Sequence, residues 1–233
     1  CSRCDAKRLK NESKRDCQSC GREMRKRNIN NDGSFYYFCP ECFPLVHELI
    51  SESNIPPLFR RVLDTLNSDK PNRDALDDLK SIARDYSLIY RGSILLWGHT
   101  GCGKTSLACA LGMELMKNHV LPVRYISVLR YLNHLKTLFY DYTERGKQKL
   151  QEQLSIRKAP ILIMDDFNKE DYREGVERDT IYDILDHRYS NRLFTIFTAQ
   201  SKAFGGLPEQ TASRILQMAE PYDLGSQNRR TRS

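Results

Sequence analysis

Four short apolar runs punctuate the chain: Ser93–Trp97, Val123–Ser127, Pro160–Met164 and Leu193–Thr198. Their apolar content predicts buried strands. Among them, Lys104–Lys117, Leu129–Thr143 and Thr180–Tyr189 repeat apolar residues at helical spacing. Strands alternating with helices predict an α/β fold whose parallel sheet is flanked by helices through right-handed crossovers. Residues 46–90 read as helical, with breaks at Pro56-Pro57 and at Ser68 to Arg73, and residues 1–45 are polar and rich in cysteine. The expected division is therefore a small module over 1–45, a helical linker over 46–90 and an α/β domain over 91–233. Beyond three Cys-x-x-Cys pairs no repeat is visible.

Composition fits a packed protein. Of 233 residues 39% are hydrophobic and 29% charged, which supports a core and argues against a mostly disordered chain. No apolar run approaches the ~20 residues of a membrane helix, so no membrane association is expected. The opening Cys-Ser-Arg-Cys is basic and polar and does not read as a secretory leader. The net charge of +7 sits at the ends: residues 1–45 carry +4, residues 229–233 carry +3, and the middle balances. Basic ends suit phosphate backbones or acidic protein faces, and they also serve simply to solvate flexible termini.

The most specific pattern is Gly98-His99-Thr100-Gly101-Cys102-Gly103-Lys104-Thr105-Ser106, which follows one predicted strand and opens a helix. This is a phosphate loop. Its glycines let main-chain N–H groups turn toward a β-phosphate, and the helix N-terminus adds partial positive charge. Lys104 is expected on the β- and γ-phosphates and the Thr105 hydroxyl on Mg²⁺, so ATP with Mg²⁺ is the expected ligand. A second run, Ile161-Leu162-Ile163-Met164-Asp165-Asp166, delivers two carboxylates to the end of a buried strand. Asp165 is assigned to Mg²⁺ and Asp166 to polarising the attacking water. At the end of the strand Phe194-Thr195-Ile196-Phe197-Thr198, either Gln200 or Thr198 is a candidate for sensing the γ-phosphate. Arg214, outward on a helix that starts near Leu207-Pro208, is a candidate to reach a neighbouring protomer's nucleotide.

Six of the eight cysteines form Cys1/Cys4, Cys17/Cys20 and Cys39/Cys42. In a chain without an export signal such pairs read as metal knuckles, and the expected compartment is the reducing cytoplasm. Cys17-x2-Cys20-Gly21, then Cys39-Pro40-x-Cys42, is a zinc-ribbon pattern with four thiolates closing a structural Zn²⁺ site. Asn31-Asp32-Gly33 supplies a turn between the knuckles, and Ser34–Phe38 reads as a strand. Cys1 and Cys4 either help complete a second site, with His47 or further ligands, or pair with Cys17 and Cys20. Cys102 and Cys109 are expected as buried, reduced thiols.

Taken in order, Asn54-Ile55-Pro56, GHTGCGKTSLA, ILIMDDF, YDILDHRYSNR, FTIFTAQS, SRIL and Gly225-Ser226-Gln227-Asn228-Arg229 resemble the AAA+ ATPases of the DnaC/DnaI helicase loaders and the related IstB transposition helpers. The resemblance spans about residues 54–230. It implies a P-loop AAA+ core without a separate lid domain, an ATPase that self-associates, and Arg214 as its arginine finger. It implies single-stranded DNA as a ligand of residues 129–140, with Arg130 and Lys136 as candidates, and a hexameric replicative helicase as the partner gripped by the cysteine-rich end. The IstB alternative implies duplex DNA and a transposase. Two departures matter. Asp166 stands where many related ATPases carry Glu, which implies slow or partner-stimulated hydrolysis. Thr198-Ala199-Gln200 replaces the family's Thr-Ser-Asn, which weakens the sensor assignment of Gln200.

Overall fold

The four apolar runs come together in one parallel sheet. Strands β5 (Ser93–Trp97), β6 (Val123–Ser127), β7 (Ile161–Asp165) and β8 (Phe194–Ala199) are joined by β9 (Ala219–Asp223) in the order β6-β7-β8-β5-β9. This computed structural model describes residues 15–16, 23–24, 28–29, 35–36, 41–66, 70–85, 92–167, 175–201, 204, 207 and 209–228. The pattern did not predict β9. Its sequence, Ala-Glu-Pro-Tyr-Asp, is largely exposed at the sheet edge, where a proline is tolerated and no apolar run is needed.

Register divides the sheet into two faces. Ile94, Leu96, Ile163 and Ile196 point to one side, and Leu95, Leu162, Met164 and Phe197 to the other. The first face packs on helix α3 (Lys104–His119), whose Leu107, Ala108, Cys109, Leu111, Leu115 and Met116 are all buried. Helix α1 (Cys42–Glu52), two short 3-10 turns and helix α2 (Lys70–Arg84) close that side. Of residues 46–90, expected as a linker, Ile55, Leu63, Leu76, Leu79 and Ala83 belong to the same core.

The second face is covered by helices α4 (Val128–Phe139), α5 (Glu144–Leu154), α6 (Val176–Ser190) and α7 (Glu209–Met218). The single helix expected over Leu129–Thr143 ends instead at Phe139. Asp141 Oδ1 accepts the Thr143 N–H at 3.1 Å and the Thr143 hydroxyl at 2.6 Å, which turns the chain. Thr143 then caps α5 by accepting the Gly146 N–H at 3.0 Å.

Among the described residues, one charged side chain has no exposed surface at all. Arg188 of α6 donates to Thr195 Oγ1 at 2.8 Å and to the carbonyls of Arg157, Ala159 and Phe194 at 3.1, 2.7 and 2.6 Å. It ties α6 to the beginnings of β7 and β8. Within the cysteine-rich region, β1 (Arg15–Asp16) pairs antiparallel with β2 (Glu23–Met24), and β3 (Asn28–Ile29) with β4 (Phe35–Tyr36). Among the described residues no helix is long and apolar enough to cross a membrane.

Candidate active site

The predicted phosphate loop joins the end of β5 to the start of α3. Gly98 and Gly101 have φ of +146° and +88°, which side-chain-bearing residues rarely adopt. A Cβ on Gly98 would also lie 2.8 Å from the Gly225 carbonyl oxygen. His99 and Thr100 are exposed, Cys102 is buried, and Thr105 and Ser106 are half-buried on the first turn of α3. Behind the loop, Asn72 of α2 donates its side-chain amide to the Cys102 carbonyl at 3.2 Å. The buried Lys104 ammonium folds back onto the loop, donating to the Gly98 and His99 carbonyls at 2.8 and 2.9 Å.

Asp165 ends β7 and is 5% exposed. Three hydroxyls converge on it. Its Oδ1 accepts from Thr105 Oγ1 at 2.8 Å and from Thr198 Oγ1 at 2.6 Å, and its Oδ2 accepts from the Tyr125 hydroxyl at 2.8 Å. Sheet register explains the meeting. Met164 pairs with Phe197, so the next residues, Asp165 and Thr198, stand side by side, while Thr105 arrives from the helix that the loop begins. Burial, then the Asp165 charge, pushes the Tyr125 phenol above its ordinary range. Burial, with Asp165 adding, does the same to the Cys109 thiol, which is thereby held protonated and unreactive.

Asp166 adopts a left-handed φ of +55°, a conformation Asp tolerates better than most residues. Thr198 holds it there. The Thr198 hydroxyl accepts the Asp166 N–H at 2.9 Å, and the Thr198 carbonyl accepts the Phe167 N–H at 2.8 Å. The C-terminal segment lies along the loop. Leu224 N–H donates to Trp97 O at 2.9 Å and His99 N–H to Gly225 O at 3.1 Å, and a Cβ on Gly101 would lie 2.3 Å from Asn228 Oδ1.

The remaining candidates fall elsewhere. Of the two sensor candidates, Thr198 reaches the carboxylate cluster, whereas Gln200 is exposed one residue beyond β8. Arg214 of α7 lies against α6, where it pairs with Asp186 and stands 5.4 and 5.7 Å from the ring centres of Tyr182 and Tyr189. The Tyr182 hydroxyl and, secondarily, Asp186 hold its proton more tightly than usual. Arg130 is exposed on α4, and Lys136 pairs with Glu177. Cys42 is the buried first residue of α1, while Cys1, Cys4, Cys17, Cys20, Cys39 and Arg229 lie outside the described residues. Among the described residues no group of three or more His, Cys, Asp or Glu side chains is placed to hold a metal. The oxygen-only set at Thr105 and Asp165 matches what Mg²⁺ takes, one or two protein ligands with water and phosphate completing the shell.

No sequence pattern points to Tyr125 or Asn72. Both act across long separations, 40 residues to Asp165 and 30 to Cys102, that no local pattern reports.

The chain is 24% identical over 219 residues to the replicative helicase loader DnaI of Bacillus subtilis (strain 168), covering 84% of this chain and 68% of the relative. It is 31% identical over 124 residues to an ATP-binding protein of insertion sequence IS1162 from Pseudomonas fluorescens, covering 53% of this chain and 50% of that protein. A crystal structure of DnaI superposes with a TM-score of 0.61 at 25% identity, covering 73% of this chain and 94% of that one. Residues 68–208 match the family described as IstB-like ATP binding protein. With a phosphate loop, a carboxylate-ended strand and the parallel sheet of a P-loop AAA+ core between them, this chain belongs to the IstB-like ATP binding protein family.

Proposed function

We propose that this chain is an ATPase that places a replicative helicase on single-stranded DNA. The observation that carries the chemistry is the Thr105–Asp165 hydrogen bond, which locks the first turn of the loop helix to the carboxylate-bearing strand end beneath Lys104. In this reading main-chain N–H groups from Gly98 to Gly103 and the N-terminus of α3, including Ser106, hold the phosphates. Lys104 leaves the Gly98 and His99 carbonyls for the β- and γ-phosphates. Thr105 and Asp165 would hold Mg²⁺, which would supply charge neutralisation on the phosphates. Asp166 polarises the attacking water, and Thr198 or Gln200 responds to the γ-phosphate. Arg214 of a neighbouring protomer in a self-associated assembly exchanges Asp186 for the developing phosphoryl charge.

The cysteine-rich end is the helicase grip. Arg15–Asp16 and Glu23–Met24 pair immediately on either side of the segment holding Cys17 and Cys20, which supports a zinc knuckle there. Cys17, Cys20, Cys39 and Cys42 are the proposed Zn²⁺ ligands, with Cys1 and Cys4 left for a second site. The match to DnaI covers more of this chain than residues 46–233 contain, so it reaches into the cysteine-rich region. That favours the loader over the IstB-type alternative, in which a transposase and duplex DNA are the partners, supported by the IS1162 relative. A loader acts in the cytoplasm.

Co-purification tests the reading. The full chain should retain a hexameric replicative helicase, and deletion of residues 1–41 should abolish retention while ATP binding survives. Retention of a transposase in place of a helicase supports the alternative, and retention of neither overturns both.

A further inference from the structure

We infer that Tyr125 is a positioning residue for Asp165, fixing the carboxylate so that its one remaining acceptor position faces the metal. The inference rests on the nucleotide reading above.

An ionised carboxylate offers about four lone-pair positions. Thr105 and Thr198 take two on Oδ1, and Tyr125 takes one on Oδ2. The two threonines alone would anchor a single oxygen and leave the other to swing. The Tyr125 bond removes that freedom. Tyr125 pairs with Ile163, two residues before Asp165 on the neighbouring strand. That offset is ~6.6 Å along a strand, a gap that a phenol bridges and a serine or threonine hydroxyl does not.

The strand carrying Tyr125 is itself held from outside. The Tyr125 N–H donates to the Ser53 carbonyl at 2.7 Å, and Arg124 pairs with Glu52 at 2.8 Å, both at the end of α1. The hydroxyl is thus delivered by an edge strand that is braced on each side. Removing a single partner that orients a group in a metal site typically costs about 10–100-fold in metal affinity.

The test is Mg²⁺-dependent binding of a fluorescent ATP analogue to the full chain and to Tyr125→Phe, which keeps the ring and removes only the hydroxyl. In EDTA the two should bind the analogue within about twofold of one another. With Mg²⁺, the concentration giving half of the metal-dependent gain should rise about tenfold or more in the variant. In an Asp165→Asn background the same Tyr125→Phe change should shift nothing, because Tyr125 works through that carboxylate. An unchanged Mg²⁺ requirement in folded Tyr125→Phe overturns the inference, as does an equal loss in EDTA and in Mg²⁺. Tyr125→Met serves the same comparison if the Phe variant fails to fold. Wild-type protein that binds the analogue with no metal dependence overturns the nucleotide-site reading itself, a result distinct from a Tyr125 variant that matches wild type.

Discussion

Replacing Thr198 by Val tests how the carboxylate cluster is held. The side chains are nearly the same size, so the change removes a hydroxyl without opening a cavity. Two bonds disappear together: the donation to Asp165 Oδ1 at 2.6 Å and the acceptance of the Asp166 N–H at 2.9 Å. Thr198 is fully buried and Asp165 nearly so, so neither loss is repaired by water. A hydrogen bond to a charged group contributes about 1.5–3 kcal/mol, and an orphaned buried N–H costs about 1–3 kcal/mol. Because the bonds share one hydroxyl, a net loss of about 2–5 kcal/mol is expected. Urea unfolding followed by far-ultraviolet circular dichroism measures it, with Thr198→Ser as the control that keeps the hydroxyl. The same variant should hydrolyse ATP far more slowly, since Asp166 loses the bond that fixes its left-handed backbone. A Val variant within ~0.5 kcal/mol of wild type would refute the reasoning, because that is the range of substitutions that touch nothing important.

Two further outcomes follow from the packing. Arg188→Met should destabilise the fold by about 1–3 kcal/mol or more, because it leaves the Arg157, Ala159 and Phe194 carbonyls without their donor; Arg188→Lys should recover only part, since an ammonium cannot serve the spread of a guanidinium. Equal urea midpoints for the Met variant and wild type would contradict this. Glu114 accepts the Leu63 N–H at 2.8 Å, and burial raises its carboxyl above the ordinary 4.5, outweighing that bond. The folded state therefore binds the proton more tightly than the unfolded chain does, so wild type loses stability as pH rises from 4.5 through the raised value. Glu114→Gln lacks this loss, and its stability relative to wild type should increase between about pH 4 and about pH 7 in paired urea titrations; a gap that shrinks over that range would be inconsistent.

What could be read from residues alone tracks how local each signal is. The phosphate loop is contiguous, and Asp165 follows directly on its apolar run, so both were legible without a structure. Strands β5, β7 and β8 were legible because burial on both faces leaves no polar alternation. Strand β9 was not, since an edge strand needs no apolar run. Helix α5 was hidden because its sequence, Glu-Arg-Gly-Lys-Gln-Lys-Leu-Gln-Glu-Gln-Leu, is nearly all polar. The tyrosines and aspartate around Arg214 stand at 182, 186 and 189, a helical spacing visible in α6, yet nothing local says that α7 lays an arginine across them. Tyr125 illustrates the limit most clearly. Its partner is fixed by the pairing of β6 with β7, and a shift of one residue in that register would turn its side chain to the opposite face.

The central claim is that Lys104, the loop amides and the Asp165 cluster form one site for magnesium-bound ATP. Equilibrium binding of a fluorescent ATP analogue to the folded chain, with Mg²⁺ present, tests it most directly. The account predicts saturable binding below about 1 mM that is lost in Lys104→Ala. Folded wild-type protein that shows no saturable uptake up to that concentration, or a Lys104→Ala variant that binds as well as wild type, would contradict it.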